Sequence, residues 1–153
     1  MIRRGLLSSL CLSLLLALPV AAEEAWYLQT SVYTRHFHPD PEHNNHQNLI
    51  GLEYQADGGV VAGGATFRNS FRQRSQYAYV GKRFDSDVAP VYLKVTGGLL
   101  QGYRGEYRDK IPLNRFGVAP VLIPSLGARL GPVGAELVLL GNSAMMVNLG
   151  VYL

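Results

Sequence analysis

Cysteine is almost absent from this chain. The single one, Cys11, lies in an apolar run near the N-terminus, so no intrachain disulfide can form. Charge is scarce as well, with 16% of residues charged and a formal net charge of +3 that includes Arg3 and Arg4. That balance gives no basis for nucleic-acid binding. An apolar run of the ~20 residues that a membrane helix needs is also missing; the longest, Leu6 to Leu18, falls short. No internal repeat, low-complexity tract or second domain appears.

What the N-terminus does contain is a leader. Arg3 and Arg4 form a positive region, Leu6 to Leu18 an apolar one, and Val20-Ala21-Ala22 a small-residue site that predicts cleavage before Glu23. Leu10, before Cys11, is not small, which argues against a lipoprotein signal. The expected organisation is a signal peptide over 1–22 and one domain over 23–153.

That domain is rich in glycine and tyrosine, 17 and 9 in the whole chain, which suits twisted strands and aromatic girdles better than a helical bundle. The last segment is the clearest. Met145, Val147, Leu149, Val151 and Leu153 share one face, and Asn148, Gly150 and Tyr152 the other, the period of a strand with one apolar side. Similar segments run over Trp26–Arg35, Leu49–Gln55, Val60–Arg68, Ser75–Phe84, Pro90–Leu100, Phe116–Leu130 and Val133–Leu140, giving eight candidate strands with Ala144–Leu153. The expected fold is all-β, an eight-stranded antiparallel transmembrane β-barrel of the outer membrane; a soluble sandwich is the competing reading. Compact turns at 55–59, 85–87 and 131–132 alternate with connections at 37–48, 69–74, 101–115 and 141–143. Short turns face the periplasm in such barrels, so both termini are expected there and the longer connections outside.

Within the strands, Gly63, Gly64, Gly97 and Gly98 are read either as tight curvature or as a lumen opened for a chain-like ligand. Lys94, Thr96 and Glu136 are either lumen residues or ion-paired fillers. His36, His38, His43 and His46 share the first outward segment with Asp40 and Glu42. Imidazoles and carboxylates ligate metals, but this spacing fits no compact metal motif. His36 stands apart because it lies where the first strand reaches the rim, and Phe67-Arg68-Asn69-Ser70-Phe71 puts a serine and an amide at the end of the third. A histidine can act as general base for a hydroxyl, and a serine or amide can position an ester. The same residues also suit an ordinary turn.

Gly117-Val118-Ala119-Pro120-Val121-Leu122-Ile123-Pro124, with Gly131-Pro132-Val133 after it, resembles the sixth and seventh strands of the PagP family of lipid A palmitoyltransferases. So do Gly63-Gly64-Ala65-Thr66-Phe67-Arg68-Asn69-Ser70-Phe71 with Gly81, and Val32-Tyr33-Thr34-Arg35-His36. The resemblance implies an outer-membrane barrel that moves a palmitoyl chain from the sn-1 position of a phospholipid to a hydroxyl of a lipid A acyl chain. It implies His36 and Ser70 as catalytic residues, Gly81 as the floor of an interior acyl pocket, and Pro124 as one edge of a lateral opening. Asn69 stands where the family has an aspartate, Leu140 or Gly141 where it has a second proline, and Leu153 where an aromatic residue is usual. The helix that precedes the family's first strand has no counterpart between the cleavage site and Trp26.

Together these readings give a lipid A acyltransferase. His36 is the expected general base, with Ser70 and Asn69 organising the ester carbonyl. Arg68 and Arg72, with Arg35 and Arg74 near the same rim, are candidate phosphate contacts. The expected partners are a phospholipid donor and a lipid A acceptor, with no cofactor, no metal and a monomeric state. A lipid A deacylase and a non-enzymatic surface barrel are the alternatives.

Overall fold

The computed structural model describes residues 24–104 and 118–153. The leader and its cleavage site at Glu23 lie outside the described residues, as do Arg115, Phe116 and Gly117. Eight strands follow one another: β1 (Ala25–His36), β2 (Ile50–Gln55), β3 (Val60–Arg68), β4 (Arg74–Asp85), β5 (Val91–Gln101), β6 (Val118–Leu130), β7 (Val133–Leu140) and β8 (Ala144–Tyr152). Each is antiparallel to the next, and β8 pairs back onto β1 to close a barrel. β3 and β7 have their expected bounds, and the others shift by one residue at one end or both, apart from β6, whose expected start is not described. Short turns gather at one end, where the first folds as a 3-10 turn over Asp57–Gly59; the longer connections gather at the other.

The two faces of the wall have opposite chemistry. Leu28, Leu52, Val80, Leu93, Leu122 and Leu149 point outward and are exposed, whereas Gln29, Glu53, Lys94, Glu136 and Asn148 point inward and are buried. Apolar outside and polar inside is the arrangement of a bilayer-spanning barrel, and the reverse of a soluble sandwich.

The interior is layered along its axis. At the short-turn end the Arg83 guanidinium pairs with Asp85 at 2.7 Å, donates to Gln55 and to the Tyr152 hydroxyl, and lies 3.8 Å from the Tyr92 ring centre. The tyrosines fit because glycine faces them; a Cβ at Gly150 would stand 2.4 Å from the Tyr27 ring. At mid-depth Lys94 bridges Glu53 at 2.9 Å and Glu136 at 2.7 Å. Tyr79 and Gln55 donate to Glu53, and Tyr92 donates to Glu136. Lys94 and Glu136 are therefore ion-paired fillers, and Thr96 is buried beside them.

Toward the long-loop end the lining turns apolar: Leu49, Val138 and Met146 pack with Ala65, Phe67, Ile123 and Leu140, while Tyr77 and Leu100 pack with Val121. Ala65, Phe67, Val121, Ile123 and Leu140 remain only half-buried although they face inward. The interior is thus plugged with polar side chains below and loosely filled with apolar ones above.

Candidate active site

Strict alternation would turn His36 out of the barrel. Tyr27 and Gln29 of β1 are buried and Leu28 is exposed, so odd residues face inward at first. Pairing with β8 then skips Val32, running from Ser31↔Asn148 to Tyr33↔Val147. One extra residue flips the parity of everything beyond it. Thr34 and His36 are buried in consequence, while Tyr33 is exposed.

Ser70 comes from the tight connection between β3 and β4. Asn69 builds that turn: its amide nitrogen donates to Ser75 Oγ at 3.0 Å and to the Gly102 carbonyl at 3.2 Å. Its oxygen accepts from the backbone N–H of Phe71 at 2.9 Å and of Gln73 at 3.1 Å. Arg72 completes the turn in a left-handed conformation, φ 62°.

These two segments bring His36 Nε2 to 2.8 Å from Ser70 Oγ. On the far side of the ring, Nδ1 lies 2.6 Å from Asn45 Oδ1. An amide oxygen only accepts, so Nδ1 carries the proton and the Nε2 lone pair receives the Ser70 hydroxyl. Asn45 reaches the ring because its loop is tied across the mouth. Asn44 N–H donates to the Ser70 carbonyl at 2.6 Å, and Arg68 N–H to the Gln47 carbonyl at 2.7 Å. Rings enclose the pair: His36 stacks on His43 at 4.3 Å, His43 meets Phe71 edge-on, and Phe71 meets Tyr103 edge-on. Burial pushes the Tyr103 phenol above its ordinary value, partly offset by hydrogen bonds with the side chain and backbone of Ser70.

The barrel wall is not paired along its whole height near this pair. A cleft of about 370 Å³ lies against Tyr33, Arg35, His36, Pro39, His43 and Asn45. Backbone pairing between β6 and β7 stops at Ser125↔Val138, so Val118–Pro124 of β6 pairs only with β5. Pro124 is the first residue past the break, and it has no N–H to give. Pairing of β1 with β2 likewise stops at Thr30↔Ile50. Above that point the seam is held by side chains, with Ser31 Oγ accepting from Leu49 N–H and Thr34 bonded to Gln47.

Of the residues singled out by sequence, the fold joins His36 to Ser70 but not to Asn69. All four Asn69 side-chain bonds go to the turn and to β4–β5, so the amide at the imidazole is Asn45 instead. Gly81 is not open space at the end of a pocket. A Cβ there would stand 2.2 Å from the Val95 carbonyl oxygen and 2.8 Å from Thr96 Cα, so glycine lets β4 and β5 close together. Gly98 does the same from the other strand, with Ala78 O at 2.0 Å from its would-be Cβ. Arg68, Arg72 and Arg74 are exposed at the same rim. Among the described residues no group of three or more metal-ligating side chains converges.

Asn45 and Tyr103 were invisible to the sequence reading. Asn45 is one of four amides in Asn44–Asn48, interrupted only by His46, and nothing there gives a reason to prefer one. Tyr103 follows β5 in a segment with no motif.

No family model matches the chain, and no curated protein matches it. Among solved structures, the backbone structure of the Yersinia pestis outer membrane protein Ail in a phospholipid bilayer nanodisc is similar, at 14% identity and a TM-score of 0.41. The match covers 86% of this chain and 100% of that one. At that level the functional reading rests on this chain's own side chains.

Proposed function

We propose that the protein is an outer-membrane acyltransferase that moves a palmitoyl chain from a phospholipid to a hydroxyl of lipid A. The observation that carries this reading is the 2.8 Å contact of His36 Nε2 with Ser70 Oγ, set over a barrel interior that is apolar and loosely filled in its upper half. A buried imidazole whose Nε2 already meets a hydroxyl at hydrogen-bond distance is placed to act as general base for one. The acceptor hydroxyl would take the place of Ser70 Oγ at Nε2 and give up its proton there as its oxygen attacks the ester carbonyl. The imidazolium would return that proton to the departing glycerol oxygen of the lysophospholipid, while Asn45 holds Nδ1–H. Ser70 and Tyr103 are then the hydroxyls that steady the ester oxygen as charge develops on it. The apolar lining below suits a fatty acyl chain, and the Lys94–Glu53–Glu136 cluster ends that lining at mid-depth. The open seam above Ser125↔Val138 supports sideways access for a lipid whose tails stay in the bilayer. The sequence resemblance to the PagP family supports the same donor and acceptor.

A second reading is favoured by one feature. A serine bonded to a histidine that is bonded to an amide is also the relay of a covalent hydrolase, which would remove an acyl chain from lipid A. Mass spectrometry of lipid A from cells with and without the gene separates the two. Gain of one palmitoyl group is expected; loss of a chain supports the hydrolase, and no change sinks both. His36→Ala should abolish the mass change by at least about two orders of magnitude in rate, the lower end for general-base catalysis, in protein that still shows the heat-dependent gel mobility of a folded barrel.

A further inference from the structure

We propose that the outer wall of β3 and β4 at the long-loop end is a docking site for phosphate groups of a lipid headgroup, formed by Arg68, Arg72 and Arg74. This rests on the reading of the chain as a lipid-handling membrane barrel, not on acyl transfer itself. Arg68 and Arg74 are direct cross-strand partners, and like charges placed opposite one another destabilise a sheet. Among the described residues no carboxylate pairs with them: the ion pairs there are those of Arg83 and Lys94, inside the barrel. Their head groups rest on neutral acceptors. Arg68 donates to the Arg72 carbonyl at 3.3 Å, Arg72 to the Glu42 carbonyl at 3.0 Å, and Arg74 to Thr66 Oγ1 at 3.1 Å. Each guanidinium has five N–H donors in a fork that matches phosphate, so most of that capacity faces solvent.

Arg72 adds an independent sign. Its left-handed backbone, φ 62°, costs a long side chain about 1 kcal/mol that glycine would avoid. The position of the cluster identifies the source of the phosphate. On the outward face of this strand pair, Val60, Ala62 and Val80 lead up from the short-turn end to Thr66, Gln76 and then the arginines. From Val60 to Arg68, at ~3.3 Å per residue and ~40° tilt, the wall climbs roughly 20 Å, close to the ~25 Å height of a barrel's apolar band. The arginines therefore stand at headgroup level, and Ser70 lies between Arg68 and Arg72 in sequence.

The test is binding, read without catalysis. Full-length protein in dodecylmaltoside is mixed with dioleoyl phosphatidic acid, which presents a phosphate monoester, or with dioleoyl phosphatidylcholine, and retained lipid is counted by native mass spectrometry. Preference for phosphatidic acid is expected in the wild type. The triple variant Arg68→Gln/Arg72→Gln/Arg74→Gln should reduce it by about tenfold or more, the scale of losing charge-assisted hydrogen bonds, and the triple Arg→Lys variant should fall between. Competition by millimolar inorganic phosphate would assign the site to a free anion and overturn the headgroup assignment; its absence supports a lipid source. Equal retention by wild type and a heat-modifiable, folded Gln variant overturns the proposal. Should that variant not fold, Arg74→Gln alone must still lower the preference measurably, or the proposal fails. An unchanged lipid A mass in cells would defeat the acyltransferase reading and leave this result standing.

Discussion

Lys94→Met isolates the electrostatics of the barrel interior. Lys94 is buried between two buried carboxylates, at 2.9 Å from Glu53 and 2.7 Å from Glu136. Methionine nearly matches the lysine stem in volume, so packing is conserved while the only cation in that layer is removed. Glu53 keeps the hydroxyl of Tyr79 and the amide of Gln55, and Glu136 keeps the hydroxyl of Tyr92. Those donors satisfy oxygen atoms but do not cancel charge. Breaking a buried pair from one side costs about 3–5 kcal/mol, and two anions are stranded here, so the upper part of that range is expected. Reversible urea unfolding of the refolded protein in lipid vesicles, followed by tryptophan fluorescence, reads the loss directly. The triple variant Lys94→Met/Glu53→Gln/Glu136→Gln should recover most of it, because the amides keep the tyrosine bonds and carry no charge. A loss below about 1 kcal/mol in the single variant, or no recovery in the triple one, would refute the argument, since an uncompensated buried charge must cost several times that.

Three further outcomes follow from the site. Asn45→Ala should lower kcat about tenfold or more with little change in KM, the cost of a lost charge-assisted orienting bond at the ring, and Asn45→Asp should restore it; Asn69→Ala, whose bonds all serve the turn, should instead lower the unfolding midpoint, and steady-state kinetics beside urea melts separate the two. Gly81→Met should destabilise the barrel by at least about 2 kcal/mol, as overpacking against backbone does, and leave acyl-chain preference unaltered in whatever folds; a shift to a shorter acyl chain on phospholipids of graded sn-1 length would reinstate Gly81 as a pocket floor. Burial holds the Tyr103 proton above the ordinary tyrosine value, so the folded state binds it more tightly than the unfolded one. Its stabilising contribution is whole below pH ~10 and lost as pH rises through the folded-state value; tyrosinate absorbance titration of wild type against Tyr103→Phe should show one group fewer titrating at the alkaline end.

The wall of the barrel was legible because it repeats. An apolar face recurring at every second residue marks a strand wherever one side meets hydrocarbon, as in β8, and β3 and β7 fall on their expected bounds. The turns were legible because glycine, aspartate and proline mark them. His36 and Ser70 were legible as rim residues because strand ends are rim positions in any closed meander. That they touch was not, since contact depends on where β1 and the β3–β4 turn stand around the mouth.

What escaped the sequence is what departs from the repeat. The bulge at Val32 leaves no signature in Ser31-Val32-Tyr33, yet without it His36 would face lipid and no dyad would exist. Asn69 and Asn45 exchange the roles that their places along the chain suggest: the one beside Ser70 is consumed by the turn that presents Ser70, and the one in the distant loop reaches the ring because Asn44 is bonded to the Ser70 carbonyl. The same backbone bond that fixes Ser70 thus fixes Asn45, so loop and turn cannot move separately without parting the imidazole from one of its two partners. Gly81 shows the converse: a residue whose lack of a side chain reads as space along the chain lies, in three dimensions, where a Cβ would meet the backbone of β5. Periodicity reports which face of a strand meets which solvent; chemistry here depends on a single skipped residue and on one loop tied across the mouth.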